Sequence, residues 1–288
     1  MVDRAVAFCP GHISGYFRRV KGTSVQTTGS IGAGIVISAG VEATVVPADQ
    51  PQVQVREVDR AGSCSTVLTA SPPIAYVMDR LEVTAAVTTV CTFPIGAGFG
   101  LSAAALLSAT AALNVLYDLG LSTHQVTALA HEAEIVHQTG LGDVAACQGG
   151  GLVCREGPGP DGTITRLQDL MAGSLCAVTF GPLPTPAVLK SGPAMAAVEA
   201  AFPARCPDSL VDFFHLSRQF AEHSGLITPE VRHALSLCDR AGVPASMTML
   251  GNGVFALGDS AVEVLSAVGE PFHLEIASGG FSIQEHVS

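Results

Sequence analysis

Lysine is almost missing from this chain: its 288 residues contain Lys21 and Lys190 and no others. A P-loop of the form G-x-x-x-x-G-K-[ST] needs a lysine after a glycine, and neither lysine follows one, so Walker-A chemistry is excluded. Basic residues total 14 against 25 acidic ones, giving a formal charge of −11. That balance argues against nucleic acid or an anionic membrane as a partner. Long apolar runs are missing too, despite a mean hydropathy of +0.43 and 48% hydrophobic residues. Pro94 and three nearby glycines break the most apolar stretch, and Ser108, Thr110 and Asn114 interrupt the helix expected after it. A soluble chain with no membrane span is expected. Met1-Val2-Asp3-Arg4 leads into a short strand-like run instead of an apolar leader, so no secretory signal is expected.

Eight cysteines are present, but no C-x-x-C pair: Cys9, Cys64, Cys91, Cys147, Cys154, Cys176, Cys206 and Cys238 are scattered. They read as small buried hydrophobes in a reducing cytoplasm and not as a metal or disulfide framework.

The most informative segment present is Pro94-Ile95-Gly96-Ala97-Gly98-Phe99-Gly100-Leu101-Ser102-Ala103-Ala104. It follows an apolar, β-branched run from Val83 to Phe93 and opens an Ala- and Leu-rich helix to about Tyr117. Strand, glycine loop and helix N-terminus form a phosphate-binding arrangement. Glycines let a phosphate approach the backbone, and the first-turn N–H groups and helix dipole favour an anion. Ser102 can cap that turn, touch a phosphate or ligate a phosphate-bound metal. A Rossmann G-x-G-x-x-G fails at its third glycine, where Leu101 follows Gly96 and Gly98, and Ile37 follows Gly32 and Gly34. A glycine turn that merely lets strand and helix pack closely stays open as the plain alternative.

Along the chain, residues 3–60 read as β-rich, with alternation over Ile35–Val46 and Gln52–Val58. Ser71-Pro72-Pro73 marks a helix start or turn, and Ser122 is the expected N-cap of a helix to about Gln138. A short helix is expected over Asp143–Gln148, then a strand over Leu152–Arg155. The Gly- and Pro-rich tract Glu156–Gly162 divides the chain into domains at 1–156 and 157–288. Beyond it, Ser174–Phe180, Thr248–Leu257 and Phe272–Ile276 read as strands, and Ala194–Phe202, Ser209–His223 and Pro229–Ala241 as helices. The pattern predicts an α+β fold.

Pro94 to Ala104 resembles the P-x-G-x-G-L-G-S-S-A-A loop of the GHMP kinases, with Phe99 for the usual Leu and Leu101 for the first Ser. Ala7-Phe8-Cys9-Pro10-Gly11-His12 resembles their first motif, with His12 where many members carry Lys. Ala245 to Gly253 resembles a degenerate third motif. Within that superfamily, Cys9 to Phe17, Gly29 to Gly34, Thr139 to Val144 and Met249 to Leu257 are most similar to the archaeal pantoate kinases. The resemblance implies a two-lobed fold, an N-terminal mixed sheet with helices and a smaller C-terminal α+β lobe. It also implies ATP and Mg²⁺ as co-substrate and cofactor, and phosphorylation of pantoate on the route to coenzyme A. Homoserine- or mevalonate-type kinases, a diphosphomevalonate-decarboxylase-like reaction and a non-catalytic ligand sensor remain as alternatives; a homodimer is possible.

Residues that bear chemistry cluster between His131 and Arg155. His131, Glu134 and His137 share a helix face. Glu134-x-x-His137 lacks the second copy that a di-metal site needs, and Ile135 breaks H-E-x-x-H. An amphipathic helix with a polar stripe is the bland alternative. By resemblance, Pro94, Gly96 to Ala103 wrap ATP, Ser102 and Glu134 hold the metal (Glu132 being the fallback), and Asp143 is the catalytic acid–base residue. A helix cap is the other role open to Asp143. A substrate carboxylate needs a cation, and Arg155, with His12, Ser30 and His131, is assigned to substrate. Arg18, Arg19 and Lys21 are alternatives, and a structural role for Arg155 stays open.

Overall fold

The computed structural model describes residues 3–167, 174–183 and 192–287. In chain order the first half contains β1 (Arg4–Val20), β2 (Gly29–Pro47), β3 (Gln52–Val58), β4 (Cys64–Leu68), α1 (Pro72–Arg80), β5 (Ala85–Cys91), α2 (Leu101–Leu116), α3 (Thr123–His137), α4 (Asp143–Ala146), β6 (Leu152–Arg155) and β7 (Ile164–Leu167). The second half contains β8 (Leu175–Thr179), α5 (Gly192–Ala201), α6 (Leu210–Ser224), α7 (Pro229–Ala241), β9 (Ala245–Met247), β10 (Gly253–Leu257), α8 (Ala261–Ser266), β11 (Phe272–Leu274) and β12 (Ser282–Val287).

Among the described residues the strands form two sheets, one of eight strands along β12-β1-β2-β5-β3-β4 with β6 and β7 beside β2, and one of four in the order β11-β8-β10-β9. The larger sheet is mixed, because β3 runs parallel to β5 while its other pairs are antiparallel. This is the expected α+β architecture, with two differences. The tract Glu156–Gly162 is the turn of the β6–β7 hairpin, so the chain leaves the larger sheet after Leu167 and not at Glu156. The last strand, β12, then returns to pair with β1. The stretch expected as one strand over Thr248–Leu257 is a turn at 248–252, closed by the Gly251 N–H donating to the Thr248 carbonyl, followed by β10.

Helix α2 is buried on nearly all sides, which fits its Ala/Leu composition, and it packs on β1, β2 and α3. The ends of α3 were readable locally: Ser122 and Gln125 form a reciprocal capping box, and Gln138 closes the helix in the left-handed region. Among the described residues no helix is long and apolar enough to cross a membrane.

The cysteine expectation needs correction. Cys9, Cys91, Cys147, Cys176 and Cys238 are buried thiols, but Cys64 is exposed and Cys154 is disulfide-bonded to Cys206. No local spacing announces that bond. The fold brings β6 beside the segment before α6, with Cα atoms 5.7 Å apart across 52 residues of sequence.

Candidate active site

The glycine loop alternates in direction. Gly96, Gly98 and Gly100 take φ of 79°, 85° and 65°, a region that costs other residues dearly. Between them Ala97 and Phe99 turn inward; Phe99 stacks on Phe93 at 4.9 Å and meets Phe272 edge-on. Leu101 and Ala103 are buried as well. Apolar side chains thus anchor the loop while glycine backbone faces the cleft. Helix α2 starts at Gly100 with no side-chain cap, so its first N–H groups are left for a ligand. Ser102 does not cap the helix; its side chain is exposed and lines the cleft.

Two segments distant in sequence hold this loop and are tied to each other. The His12 N–H donates to the Phe99 carbonyl at 2.9 Å, the Thr248 hydroxyl to the Ala97 carbonyl at 3.1 Å, and the Met249 N–H to the Ser14 carbonyl at 3.3 Å. A Cβ on Gly98 would lie 3.0 Å from Thr248 Cβ and 3.1 Å from Gly251, so the contact itself requires glycine. The three stretches singled out in the sequence therefore meet around one cleft.

Asp143 is the first residue of the four-residue α4 and lines that cleft, its side chain 27% exposed. Its Oδ1 lies 2.7 Å from His12 Nδ1 and accepts a 3.4 Å hydrogen bond from the Ser14 hydroxyl. Burial alone would raise its pKa, but the His12 and Ser14 hydrogen bonds and the Arg155 charge hold it below the ordinary carboxylate range. Side-chain donors, more than the dipole of so short a helix, keep it ionised. His12 itself is buried, and burial depresses its pKa against the pull of Asp143. A neutral ring fits these contacts, with Nδ1–H donating to the carboxylate. His12, assigned to substrate in the sequence, lines the cleft and places its ring against Asp143.

Arg155 is 2% exposed and lines the cleft. It donates to the Ser30 hydroxyl at 2.8 Å and carbonyl at 3.2 Å, its Nε has no partner, and it forms no ion pair among the described residues. A buried guanidinium without a carboxylate is costly unless a ligand supplies one. Ser30 also lines the cleft, and its hydroxyl orients Arg155. Arg18 lies over the Phe202 ring at 4.8 Å, and Arg19 and Lys21 are exposed; none of the three lines the cleft.

His131 and Glu134 lie behind the cleft wall. The His131 ring is buried, with Nε2 3.0 Å from the Thr28 carbonyl and Nδ1 3.7 Å from Glu134 Oε2. The structure therefore does not bring His131 to the cleft, because the carbonyls at the start of β2 capture its ring. Burial raises the Glu134 pKa, opposed by His131, and Glu134 Oε2 has no hydrogen-bond partner. Glu132 faces another way, accepting from the Tyr76 hydroxyl and pairing with Arg80 at 3.1 Å. The T-G-L-G-D segment connects these groups. A Cβ on Gly140 would lie 2.4 Å from Glu134 Oε1, and one on Gly142 1.7 Å from Arg155 Nη1. Both glycines are required so that the loop before Asp143 can lie directly on the buried charges. Among the described residues no three His, Cys, Asp or Glu side chains form a ready-made metal cage.

Sequence reading gave Ser14 no role, although it shares a face of β1 with His12 two residues earlier, and the i, i+2 spacing was a usable signal. Met249 and Leu250 also line the cleft; they fall in the stretch that resembles the third motif but were given no role of their own.

Comparison with known proteins agrees with this geometry. The family described as GHMP kinases N terminal domain matches residues 72–151, the span from α1 through the glycine loop and α4 to the residue before β6. A pantoate kinase of Methanospirillum hungatei is 47% identical over 98% of this chain and 97% of its own. A pantoate kinase of Thermococcus kodakarensis is 31% identical over 93% of this chain and 94% of its own. Among solved structures, a phosphotransferase related to the CoA biosynthesis pathway superposes with a TM-score of 0.79 at 26% identity, covering 98% of each chain.

Proposed function

The chain belongs to the GHMP kinase family, and we propose that it phosphorylates the primary hydroxyl of pantoate with ATP, giving 4-phosphopantoate and ADP on the way to coenzyme A. One observation carries the choice of acceptor: Arg155, a buried cation in no salt bridge among the described residues, shares a cleft with an ionised Asp143 and a glycine loop. An acceptor with a carboxylate at one end and a primary hydroxyl at the other satisfies both residues at once.

In this reading the triphosphate lies along Gly96–Ser102 and the free N–H groups of α2. The nucleobase occupies the apolar hollow beside the loop, lined by Leu68, Ile74, Ala105 and Leu106 and continuous with the cleft through Leu101 and Ser102. Asp143 accepts a hydrogen bond from the acceptor hydroxyl. As the hydroxyl oxygen bonds to the γ-phosphorus, the bond to the β,γ-bridging oxygen breaks, ADP leaves, and the proton passes to Asp143. His12 and Ser14 hold the carboxylate in place for that exchange. The orphaned Glu134 Oε2, just behind Gly140, and the exposed Ser102 hydroxyl fit a requirement for Mg²⁺, and these are the residues that would hold it. When bound, the ion neutralises charge on the phosphates.

The test is an acceptor panel with ATP: pantoate, homoserine, mevalonate and no acceptor. Phosphorylated product from pantoate alone is expected. Product from another alcohol only, or binding without turnover, would reject the assignment.

A further inference from the structure

Leu250 has a backbone conformation that its side chain disfavours. Among the described residues five non-glycine residues have positive φ, and Leu250, at 59°, is the one that lines the catalytic cleft. Glycine or asparagine is the usual occupant of such a position, and a γ-branched leucine there is strained. The strain lies in a tight turn, with the Gly251 N–H donating to the Thr248 carbonyl at 3.1 Å. The turn is held against the reacting groups: Met249 N–H binds the Ser14 carbonyl, and the Ser14 hydroxyl binds Asp143. Glycine would fit the backbone at position 250 better, so the leucine side chain has to contribute something that offsets the strain.

We propose that Leu250, with Met249 beside it and Phe17 in the same cleft, forms the apolar wall that selects an acceptor with a branched carbon next to its reacting hydroxymethyl group. The inference rests on the pantoate reading above. Arg155 and Asp143 fix the two ends of the acceptor, and both ends are polar. What remains between them in pantoate is a secondary carbinol carbon and, next to the reacting hydroxymethyl, a quaternary carbon whose two methyl groups need an apolar surface that neither Arg155 nor Asp143 provides. The Met249–Leu250 turn, tied to Ser14 next to Asp143, supplies that surface at the hydroxyl end. Two methyl groups seated on such a wall are worth about tenfold or more in discrimination.

The experiment compares pantoate with 2,4-dihydroxybutyrate, which lacks only the two methyl groups, in wild type, Leu250→Gly, Leu250→Asn and Leu250→Met. The readout is the ratio of kcat/KM for the two acceptors, with a thermal midpoint for each protein. Wild type should favour pantoate by about tenfold or more, Leu250→Met should keep most of that preference, and the Gly and Asn variants should lose it. Both of those variants can adopt the turn without strain, so their thermal midpoints should stay near wild type. A merely structural leucine would instead lower the midpoint and reduce both acceptors equally. A folded Gly or Asn variant with the wild-type ratio overturns the proposal while leaving the pantoate reading intact. A wild type that makes no product from pantoate overturns both.

Discussion

His12 Nδ1 and Asp143 Oδ1 lie 2.7 Å apart although 131 residues separate them in sequence. The contact joins β1 to the first residue of α4 and sets the charge of a carboxylate that lines the cleft. On its other side the His12 ring abuts Gly34, where a Cβ would lie 2.2 Å from Nε2, and Nε2 has no hydrogen-bond partner. The ring is fixed in place and its one useful hydrogen bond goes to Asp143.

A pH dependence follows from that contact. The Asp143 pKa is lowered, so the carboxylate stays ionised below the usual carboxylate range, and the acid limb of kcat/KM should lie correspondingly low. Its stabilising contribution is present above the unfolded carboxylate pKa and is lost as pH falls through the lowered folded value. His12→Ala should shift the acid limb upward and reduce kcat. His12→Asn, which keeps a donor near Nδ1, should restore much of both. A pH–rate profile that is the same in all three proteins would show that His12 does not tune Asp143.

Loss of the carboxylate charge itself is a stronger perturbation. Asp143→Asn should lower kcat by about 10² or more while leaving the KM for ATP within about threefold, the pattern of a lost positioned base. A folded variant with near-wild-type kcat would leave Asp143 as a helix-start residue only.

Arg155 is in no salt bridge among the described residues, and the Asp143 and Glu134 charges reach it only at longer range, which separates its two possible roles. Arg155→Ala should raise the KM for pantoate at least about tenfold and change the KM for ATP far less, because a charge-assisted contact to the acceptor carboxylate disappears. The thermal midpoint should change little, since no buried ion pair is broken. An equal loss for both substrates, or a collapse in stability, would make Arg155 structural.

Glu134 and Glu132 face different surroundings, and titration with Mg²⁺ separates them. Glu134→Gln should lower activity steeply at low Mg²⁺ and recover in part as the ion is raised. Glu132→Gln removes only contacts with Tyr76 and Arg80 and should stay within about threefold of wild type. The reverse result would move the metal ligand two residues along α3, to another face of the helix.

Features that follow short-range rules were legible before any fold was known. Gly96, Gly98 and Gly100 mark a loop requiring positive φ, Ser122 with Gln125 marks a helix start, and Pro229 to Ala241 is a helix from its pattern and caps alone. Such signals act over a few residues, so a linear reading recovers them. The partners of buried groups were decided by the tertiary structure. Whether His12 meets a substrate or Asp143, whether Arg155 is paired, and whether Cys154 is a free thiol each depend on which distant strand the fold lays alongside. His131 shows the limit most directly. Its helix face was read correctly, but the Thr28 and Val25 carbonyls that hold its ring come from the segment entering β2, more than a hundred residues earlier. A buried charge or hydrogen-bonding group must be satisfied by whatever the packed chain places within about 3 Å, and sequence spacing does not encode that neighbour.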